Sequence, residues 1–291
     1  MRWLGRGAAL LAVAVGLTLT TRDYFWRYAP DPNTGYLFQA AATELAEQTN
    51  VYVAGDPART VVLDRRYWDS FAAVRFLLEP SDRVQWYDEG ETPAPRDAPM
   101  RLIAWPYVGL AEALNALPAD TMIAVTPSAL HRDDLQPAAY ALYAQYEAEV
   151  CPPTVCGGPA LAEFANGVKL LTAETASMVG KQTLTITLTL TWQATTPLTA
   201  PVQVFAQAWA GDILLTQADG PLGTALYPSP LWSAGAVVRE QRVLVMQLSE
   251  AVSPLRLRVG LYNPETLARV PRADAAAIAG SDFVEILPRG E

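Results

Sequence analysis

The clearest pattern along the chain is a strict alternation of apolar and polar positions. From Leu184 to Trp192, leucine, isoleucine and tryptophan occupy every second position and threonine occupies the positions between them. A repeat of two is typical of a β-strand, whose successive side chains point to opposite faces of the sheet. The pattern therefore predicts a strand that buries its leucine, isoleucine and tryptophan side chains and turns its threonines toward solvent or a sheet edge.

Further strand-like segments surround this one, and turn residues separate them. The predicted strands are Val202–Trp209, Ile213–Gln217, Val237–Leu248, Leu255–Tyr262 and Asp282–Leu287. Many short strands with turns between them are typical of β-sandwiches and barrels. The sequence therefore predicts an antiparallel β-sandwich over residues 158–291.

The preceding part of the chain alternates between strand and helix signals. Predicted strands cover 51–54, 83–87, 100–105 and 121–126, and predicted helices cover 67–78, 109–117 and 136–150. This alternation predicts a small α/β domain with a parallel sheet over residues 23–157, led by an aromatic and helical linker. The segment Cys151–Pro159 is rich in proline and glycine and marks the boundary with the sandwich.

The N-terminal segment is the longest apolar run. Arg2 and Arg6 precede an apolar stretch over Gly7–Leu19, which is shorter than the roughly 20 residues of a typical membrane span. Three interpretations stay open: an uncleaved membrane anchor, a cleaved signal peptide and a buried core helix. Residues 1–22 are predicted to be a membrane anchor or signal-like segment. An anchor would make this a single-pass protein of a bacterial cell membrane with most of the chain extracytoplasmic, because the positive end stays inside.

The predicted fold class is thus α+β and multidomain: an N-terminal membrane helix, a small α/β parallel-sheet domain and a C-terminal antiparallel β-sandwich. The charge argues against one class of partner, nucleic acids, because the formal net charge is -9 and no basic stripe is present. Nucleic-acid binding requires clustered lysine and arginine, so no nucleic-acid partner is expected.

The motifs of common catalytic and cofactor sites are missing from the sequence. It contains neither G-x-G-x-x-G nor G-x-x-x-x-G-K-[ST], and it contains a single histidine. A phosphate cradle needs several glycines, and a nucleophilic triad needs a histidine near its serine or cysteine. No catalytic residue, cofactor or metal ligand is therefore predicted.

Two cysteines, Cys151 and Cys156, are the only ones in the chain. Two cysteines alone cannot complete a structural zinc site, and their spacing is not that of a C-x-x-C redox motif. We expect a short-range disulfide, with a pair of free thiols as the alternative.

Aromatic residues of the predicted sandwich suggest a ligand. The flat rings of Trp209, Tyr227 and Trp232 could stack against the C–H faces of a sugar, and the alternative is ordinary core packing. Trp192 shares the apolar face of its strand and is expected in the core. Trp209 has the opposite parity from Val202 and is expected to be more exposed.

Several passages resemble a known protein family. They are Arg22–Ala29 (R-D-Y-F-W-R-Y-A), Asn166–Leu170, Leu188–Ala194, Tyr227–Gly235 and Val259–Thr266. Together they resemble the extracytoplasmic C-terminal region of bacterial polyprenyl-phosphate-sugar-dependent membrane glycosyltransferases, which are similar to dolichyl-phosphate-mannose-protein mannosyltransferases. That family's catalytic acid lies in a loop among many membrane helices, and no position of this chain can receive it.

Two functional hypotheses follow from these observations. The first is a non-catalytic, membrane-anchored extracytoplasmic accessory protein of the cell envelope that binds sugar or a protein partner. The alternative, which the resemblance implies, is a detached C-terminal region or subunit of a membrane glycosyltransferase that uses a polyprenyl-phosphate sugar donor. The partners expected are the membrane through residues 1–22, and either a multi-span glycosyltransferase chain or an envelope glycan.

Overall fold

The computed structural model describes residues 2–29, 31–106, 108–128, 141–247, 255–274 and 281–288. The helices are α1 (Arg2–Asp23), α2 (Pro32–Leu37), α3 (Ala40–Gly55), α4 (Arg65–Ser70), α5 (Ala72–Leu77), α6 (Leu110–Leu114) and α7 (Pro153–Cys156), with a π-helical turn at Tyr24–Tyr28 and a 3₁₀ turn at Ser229–Leu231.

Strands dominate the rest of the structure. Those before residue 180 are β1 (Thr60–Asp64), β2 (Val84–Tyr87), β3 (Met100–Ala104), β4 (Thr121–Pro127), β5 (Ala144–Val150), β6 (Ala162–Glu163) and β7 (Val168–Val179). Those after it are β8 (Thr183–Ala194), β9 (Gln203–Ala210), β10 (Ile213–Gln217), β11 (Gly220–Pro221), β12 (Gly223–Thr224), β13 (Tyr227–Pro228), β14 (Val237–Gln247), β15 (Leu255–Tyr262) and β16 (Phe283–Ile286).

The strands form one large mixed sheet and one smaller antiparallel sheet. The large sheet has nine strands in the order β2-β1-β3-β5-β4-β14-β8-β7-β6. The second has five strands, β10-β9-β15-β16 with β11 also paired to β9, and β12 with β13 forms a separate ribbon. The protein is therefore α+β, as predicted.

The large sheet is mixed rather than parallel, which corrects the sequence prediction. Strands β2, β1 and β3 are parallel, but β5 lies antiparallel between β3 and β4. The segment 136–150 had been predicted as a helix, yet its described part from Ala144 is a strand. The side chains of Ala144, Tyr146 and Ala148 are buried on one face of that strand. A central sheet position overrides the helix propensity of alanine.

The large sheet joins residues from both sides of the predicted boundary at 157–158. Strand β14 pairs parallel with β4 through Val237, Val238 and Arg239. The same strand pairs antiparallel with β8 along eleven residue positions from Val237 to Gln247. The ranges 23–157 and 158–291 therefore share one sheet.

Most of the buried apolar side chains in the described part of the chain belong to two large clusters, and a small third one surrounds Cys151. The larger core lies between the two sheets and takes in Ile186, Leu188, Leu190 and Trp192, as the alternation in their strand predicted. A second core lies on the opposite face of β1 and β3, beneath α3, α4 and α5. Burial of these side chains is the main favourable term in folding.

The N-terminal helix does not support the predicted membrane span. Helix α1 is 22 residues long, but it includes charged residues at both ends, and its apolar run is confined to Gly7–Leu19. In the part of the chain that the structure describes, no helix is both long enough and apolar enough to cross a bilayer. The predicted membrane helix, and with it the single-pass placement in a bacterial cell membrane, was therefore wrong.

The predicted disulfide is confirmed. Cys151 and Cys156 are bonded across the short helix α7, with their Cα atoms 6.1 Å apart. The bridge closes a small loop between β5 and β6, at the point where the chain leaves the first group of strands.

A candidate ligand-binding face on the five-stranded sheet

Two of the three aromatic residues singled out from the sequence lie in the core. Tyr227 is 4% exposed and Trp232 is 2% exposed. The Trp232 indole Nε1 donates a hydrogen bond to the carbonyl oxygen of Tyr227 at 3.0 Å, and the two ring centroids are 6.1 Å apart. These rings pack against each other and are almost wholly buried, so neither presents an exposed flat face for stacking, although Tyr227 contributes to the wall of a pocket beside α6.

Trp209 occupies a different place, on the outer face of the five-stranded sheet. Along β9, Val204, Ala206 and Ala208 point into the core, so Trp209 points outward by the alternation of the strand. Its ring remains partly exposed. Trp209 is therefore the one predicted aromatic residue whose position suits ligand stacking.

Planar polar groups surround the Trp209 ring. The guanidinium of Arg258 lies 4.6 Å from the Trp209 ring centroid and 4.9 Å from that of Phe283, both within cation–π range. The Trp209 indole Nε1 donates to the side-chain oxygen of Gln207 at 3.2 Å, and the Gln207 amide donates to Gln217 at 3.4 Å. The guanidinium of Arg258 therefore covers part of one face of the ring, and the Gln207 amide borders the edge that carries the indole nitrogen.

The charges on this face are balanced. Arg256 and Arg258 each lie 3.7 Å from a carboxylate oxygen of Glu285 on the neighbouring strand β16. Both contacts are too long for hydrogen bonds and involve partly exposed groups, so they hold the side chains only loosely. The face therefore presents donors and acceptors without a strong net charge.

A shallow pocket of about 210 Å³ opens next to Trp209 on the same face. Its lining consists of Phe205, Gln207, Asp219, Tyr262, Leu267 and Arg269. The lining combines an apolar floor with amide, carboxylate, phenol and guanidinium groups. Small-molecule sites commonly have this composition, in which a few polar groups fix the orientation of the ligand.

The floor of the pocket is the ring of Phe205, and a glycine makes room for it. A Cβ atom at Gly260 of β15 would overlap the Phe205 ring and the carbonyl oxygen of Asp282. The guanidinium of Arg269 lies 4.2 Å from the Phe205 ring centroid and 3.3 Å from a carboxylate oxygen of Asp282. Arg269 is thus held over the floor while part of it remains exposed.

Two titratable side chains of the pocket, Asp219 and Tyr262, have raised pKa values. Burial raises the pKa of Asp219, and the nearby guanidinium groups of Arg242 and Arg269 partly offset that rise. Burial and the neighbouring Asp219 raise the pKa of the Tyr262 phenol. At neutral pH Tyr262 therefore stays protonated and can donate a hydrogen bond.

One rim of the pocket carries a backbone conformation that is rare for a bulky residue. Leu267 has a φ of 58° and is 71% exposed. Its loop is held by Asn263, whose side-chain oxygen accepts hydrogen bonds from the backbone N–H of Glu265 at 2.8 Å and of Thr266 at 3.1 Å. Left-handed backbone at a non-glycine residue costs free energy and is enriched at binding sites.

Most residues of this face were not identified from the sequence. Trp209 was singled out, and its parity along the strand also assigns Phe205 and Gln207 to the outer face. Asp219 and Arg269 come from outside that strand, and no local pattern shows that they converge on it. Among the residues that the structure describes, no group of three or more histidine, cysteine, aspartate or glutamate residues could hold a metal ion.

Comparisons with known proteins add little to this geometry. No protein-family model and no curated protein matches the chain. Among solved structures, a β-glucuronidase from Bacteroides uniformis is similar at 13% identity and a TM-score of 0.29, covering 46% of this chain and 15% of that one.

Other solved structures are similar at the same low level. A glycosyl hydrolase family 2 member from Bacteroides cellulosilyticus shares 7% identity at a TM-score of 0.27, covering 51% of this chain and 18% of that one. A putative β-galactosidase from Bacteroides fragilis shares 11% identity at a TM-score of 0.24, with coverages of 50% and 22%. The chain thus spans less than a quarter of these proteins, and similarity this low establishes neither fold nor activity. The resemblance to membrane glycosyltransferases stays a prediction.

Proposed function

We propose that this protein is a non-catalytic binding protein whose ligand is a saccharide, held on the outer face of the five-stranded sheet. The observation that carries the proposal is the partly exposed ring of Trp209, whose indole Nε1 donates to the Gln207 side chain while the Arg258 guanidinium lies over part of the ring. A sugar ring has apolar C–H faces and a polar edge. It can therefore stack on a flat aromatic ring while its hydroxyls bond to the amide and charged groups around that ring.

The adjacent pocket supports the same ligand class. Asp219 and Gln207 provide acceptors for sugar hydroxyls, and Tyr262 and Arg269 provide donors. The pocket is shallow and its polar groups are partly exposed, so each hydrogen bond replaces one to water and contributes modestly. We therefore expect weak binding that depends mainly on ring stacking.

The balanced charge of the face favours neutral saccharides over polyanionic ones. Arg256 and Arg258 lie near Glu285, and Arg269 is paired with Asp282. A strongly anionic ligand would have to compete with these carboxylates for the arginines. The hydroxyls of a neutral oligosaccharide can instead donate to the carboxylate and accept from the guanidinium of each pair.

The test is binding of the purified protein to a glycan array, followed by calorimetry on any glycan that binds. The Trp209→Ala variant should lose most of the affinity, because the stacking surface is removed. Trp68→Ala is a matched control, since Trp68 is also partly exposed but lies on α4, outside this face. Trp209→Ala should still melt close to the wild type, because its ring lies outside the core.

Two results would contradict the proposal. One is an array on which no glycan binds above background. The other is a glycan that binds the Trp209→Ala variant as tightly as it binds the wild type.

A further inference from the structure

A second pocket lies on a different part of the molecule, between the C-terminal half of α3 and the start of β1 and β3. Its volume is about 410 Å³, and its lining consists of Glu47, Gln48, Val51, Tyr52, Arg59 and Arg101. None of these residues belongs to the saccharide face. Two arginines and a buried tyrosine meet here, which is an arrangement that the core of the protein does not require.

Tyr52 is the centre of the arrangement. Its residue is 5% exposed, and the guanidinium carbons of Arg59 and Arg101 lie 4.8 Å and 4.0 Å from its ring centroid. Its hydroxyl is buried without a hydrogen-bond partner in the described part of the chain. Burial raises the pKa of Tyr52 to about 12, so the hydroxyl keeps its proton at neutral pH and remains a donor.

Arg101 is fixed at the back of the pocket, but one of its donors is unused. Its Nη1 donates to the carbonyl oxygen of Gln48 at 3.3 Å, and its Nη2 is paired with Glu147. Its Nε is buried and has no acceptor among the described residues. A buried donor without a partner costs free energy.

Arg59 is the more accessible cation of the pair. Within the residues that the structure describes, its guanidinium forms no ion pair and donates no hydrogen bond, so the Tyr52 ring is its main contact. A Cβ atom at Gly55 would come within 2.8 Å of the Arg59 Nη1 atom, so the glycine leaves room for the guanidinium beside the end of α3. The guanidinium of Arg59 therefore lines the pocket, and its N–H groups can donate hydrogen bonds to a ligand.

The acids near this pocket restrict the ligand further. Glu147 is engaged with Arg101, whereas Glu47 lines the pocket and forms no ion pair in the described part of the chain. Glu149 adds negative charge near Tyr52. These acids offset part of the positive charge of Arg59 and Arg101, so the geometry of the hydrogen-bond donors has to select the ligand. In the described part of the chain, Arg59 carries accessible unpaired donors and Glu47 an accessible acceptor, whereas the unpaired Arg101 Nε and Tyr52 hydroxyl are buried.

We propose that this pocket is a second binding site and that it binds a small oxyanion, a carboxylate or a phosphate. The oxyanion accepts from the guanidinium of Arg59, and the guanidinium of Arg101 at the Tyr52 ring adds a second positive charge nearby. A hydroxyl carried by the same ligand donates to Glu47. Arginine suits this role because its planar fork matches the geometry of carboxylate and phosphate oxygens.

The experiment follows the arginine Nε–H signals of the full chain by ¹H–¹⁵N NMR during titration with inorganic phosphate, acetate or chloride at equal ionic strength. We expect saturable shifts with phosphate or acetate and none with chloride. Tighter binding of phosphate would identify a phosphate ligand, and tighter binding of acetate would identify a carboxylate. A chloride response equal to both would overturn the proposal, because it would show ionic screening alone.

Substitutions then assign the site. Arg59→Gln should weaken oxyanion binding roughly tenfold or more, which is the effect of losing one charge-assisted contact. Arg239→Gln is the matched control, since Arg239 is a partly exposed arginine on β14, outside the pocket. If Arg59→Gln does not fold, Arg59→Lys replaces it and should still bind more weakly than the wild type. Unchanged affinity in the folded Arg59 variant would overturn the assignment.

Discussion

Glu240 offers the sharpest test of the energetics of this fold. It lies on the inner face of β14 and is 3% exposed. Its carboxylate accepts hydrogen bonds from the Trp192 indole Nε1 and from the Arg242 Nη2, each at 2.7 Å. Burial raises the pKa of Glu240 from 4.5 to about 7, although Arg242, Trp192 and the backbone N–H of Gly223 oppose the rise. The buried carboxylate is therefore less favourable than the carboxylic acid over the whole range below neutral pH.

The sign of the effect follows from proton linkage. Between pH 4.5 and pH 7 the folded protein binds the Glu240 proton and the unfolded chain releases it, so raising the pH destabilises the fold. The stability that the folded protein gains by keeping the Glu240 proton is fully present below pH 4.5 and is lost as the pH rises through about 7. The difference between the two pKa values corresponds to roughly 3 kcal/mol in the free energy of unfolding.

The Glu240→Gln substitution isolates the contribution of Glu240 ionisation to the free energy of unfolding. Glutamine has the shape of the protonated acid and cannot ionise. The free energy of unfolding of the variant, minus that of the wild type, should therefore rise by roughly 3 kcal/mol between pH 4.5 and pH 8. Urea unfolding followed by tryptophan fluorescence at several pH values measures this difference, and subtraction removes the contribution of all other titrating groups.

Glu174→Gln is the control, because Glu174 is 70% exposed and its nearest cation, Arg239, is 3.8 Å away. Its difference from the wild type should stay nearly constant over the same range. A constant difference for Glu240→Gln as well would refute the reasoning, since it would show that burial does not disfavour the ionised form of this carboxylate.

Three further predictions concern stability. Trp192→Ala should lower the free energy of unfolding by roughly 3–5 kcal/mol in urea titrations, because it empties a fully buried site between the sheets; an unchanged urea midpoint would contradict this. Replacing Cys151 and Cys156 with serine should lower the free energy of unfolding by about 2 kcal/mol in the same assay, because the disulfide closes a short loop. Thiol labelling of the unreduced, denatured wild type should find almost no free thiol. Gly260→Ala should lower the melting temperature by several degrees through overlap with the Phe205 ring, and a wild-type melt would contradict the tight contact.

The alternation in β8 was the part of the sequence that predicted structure best. Ile186, Leu188, Leu190 and Trp192 are all buried between the sheets, as that pattern indicated. The pattern was informative because one face of this strand packs against the core between the two sheets along most of its length. Thr191 on the opposite face is also buried, because neighbouring side chains such as Thr172 cover it.

Short apolar segments gave the least reliable predictions. Residues 51–54 were predicted as a strand but form the last turn of α3, and the first strand is instead β1 at Thr60–Asp64. In α3, Tyr52 and Val53 are buried while Val51 is 73% exposed, which is helical rather than alternating burial. A run of four residues is too short for its period to be read, so the helix and the strand could not be distinguished.

The candidate site was only partly predictable for a different reason. The position of Trp209 on an outer face follows from its parity within a single strand. Asp219 reaches the site because β10 and β11 on either side of it pair with β9, and Arg269 reaches it because its loop follows β15, which also pairs with β9. The alternation within one strand assigns the two faces of that strand but does not identify its neighbours in the sheet.

The pairing of β4 with β14 has a practical consequence for work with fragments. Dividing the chain at the proline- and glycine-rich segment near residue 157 would separate β4 from β14, which pair at three residue positions, and would leave one new sheet edge on each fragment. Exposed strand edges of that kind recruit other chains and promote aggregation. Separately expressed halves should therefore collect in inclusion bodies, and co-expression of the two fragments should restore soluble material only where β4 and β14 can pair again.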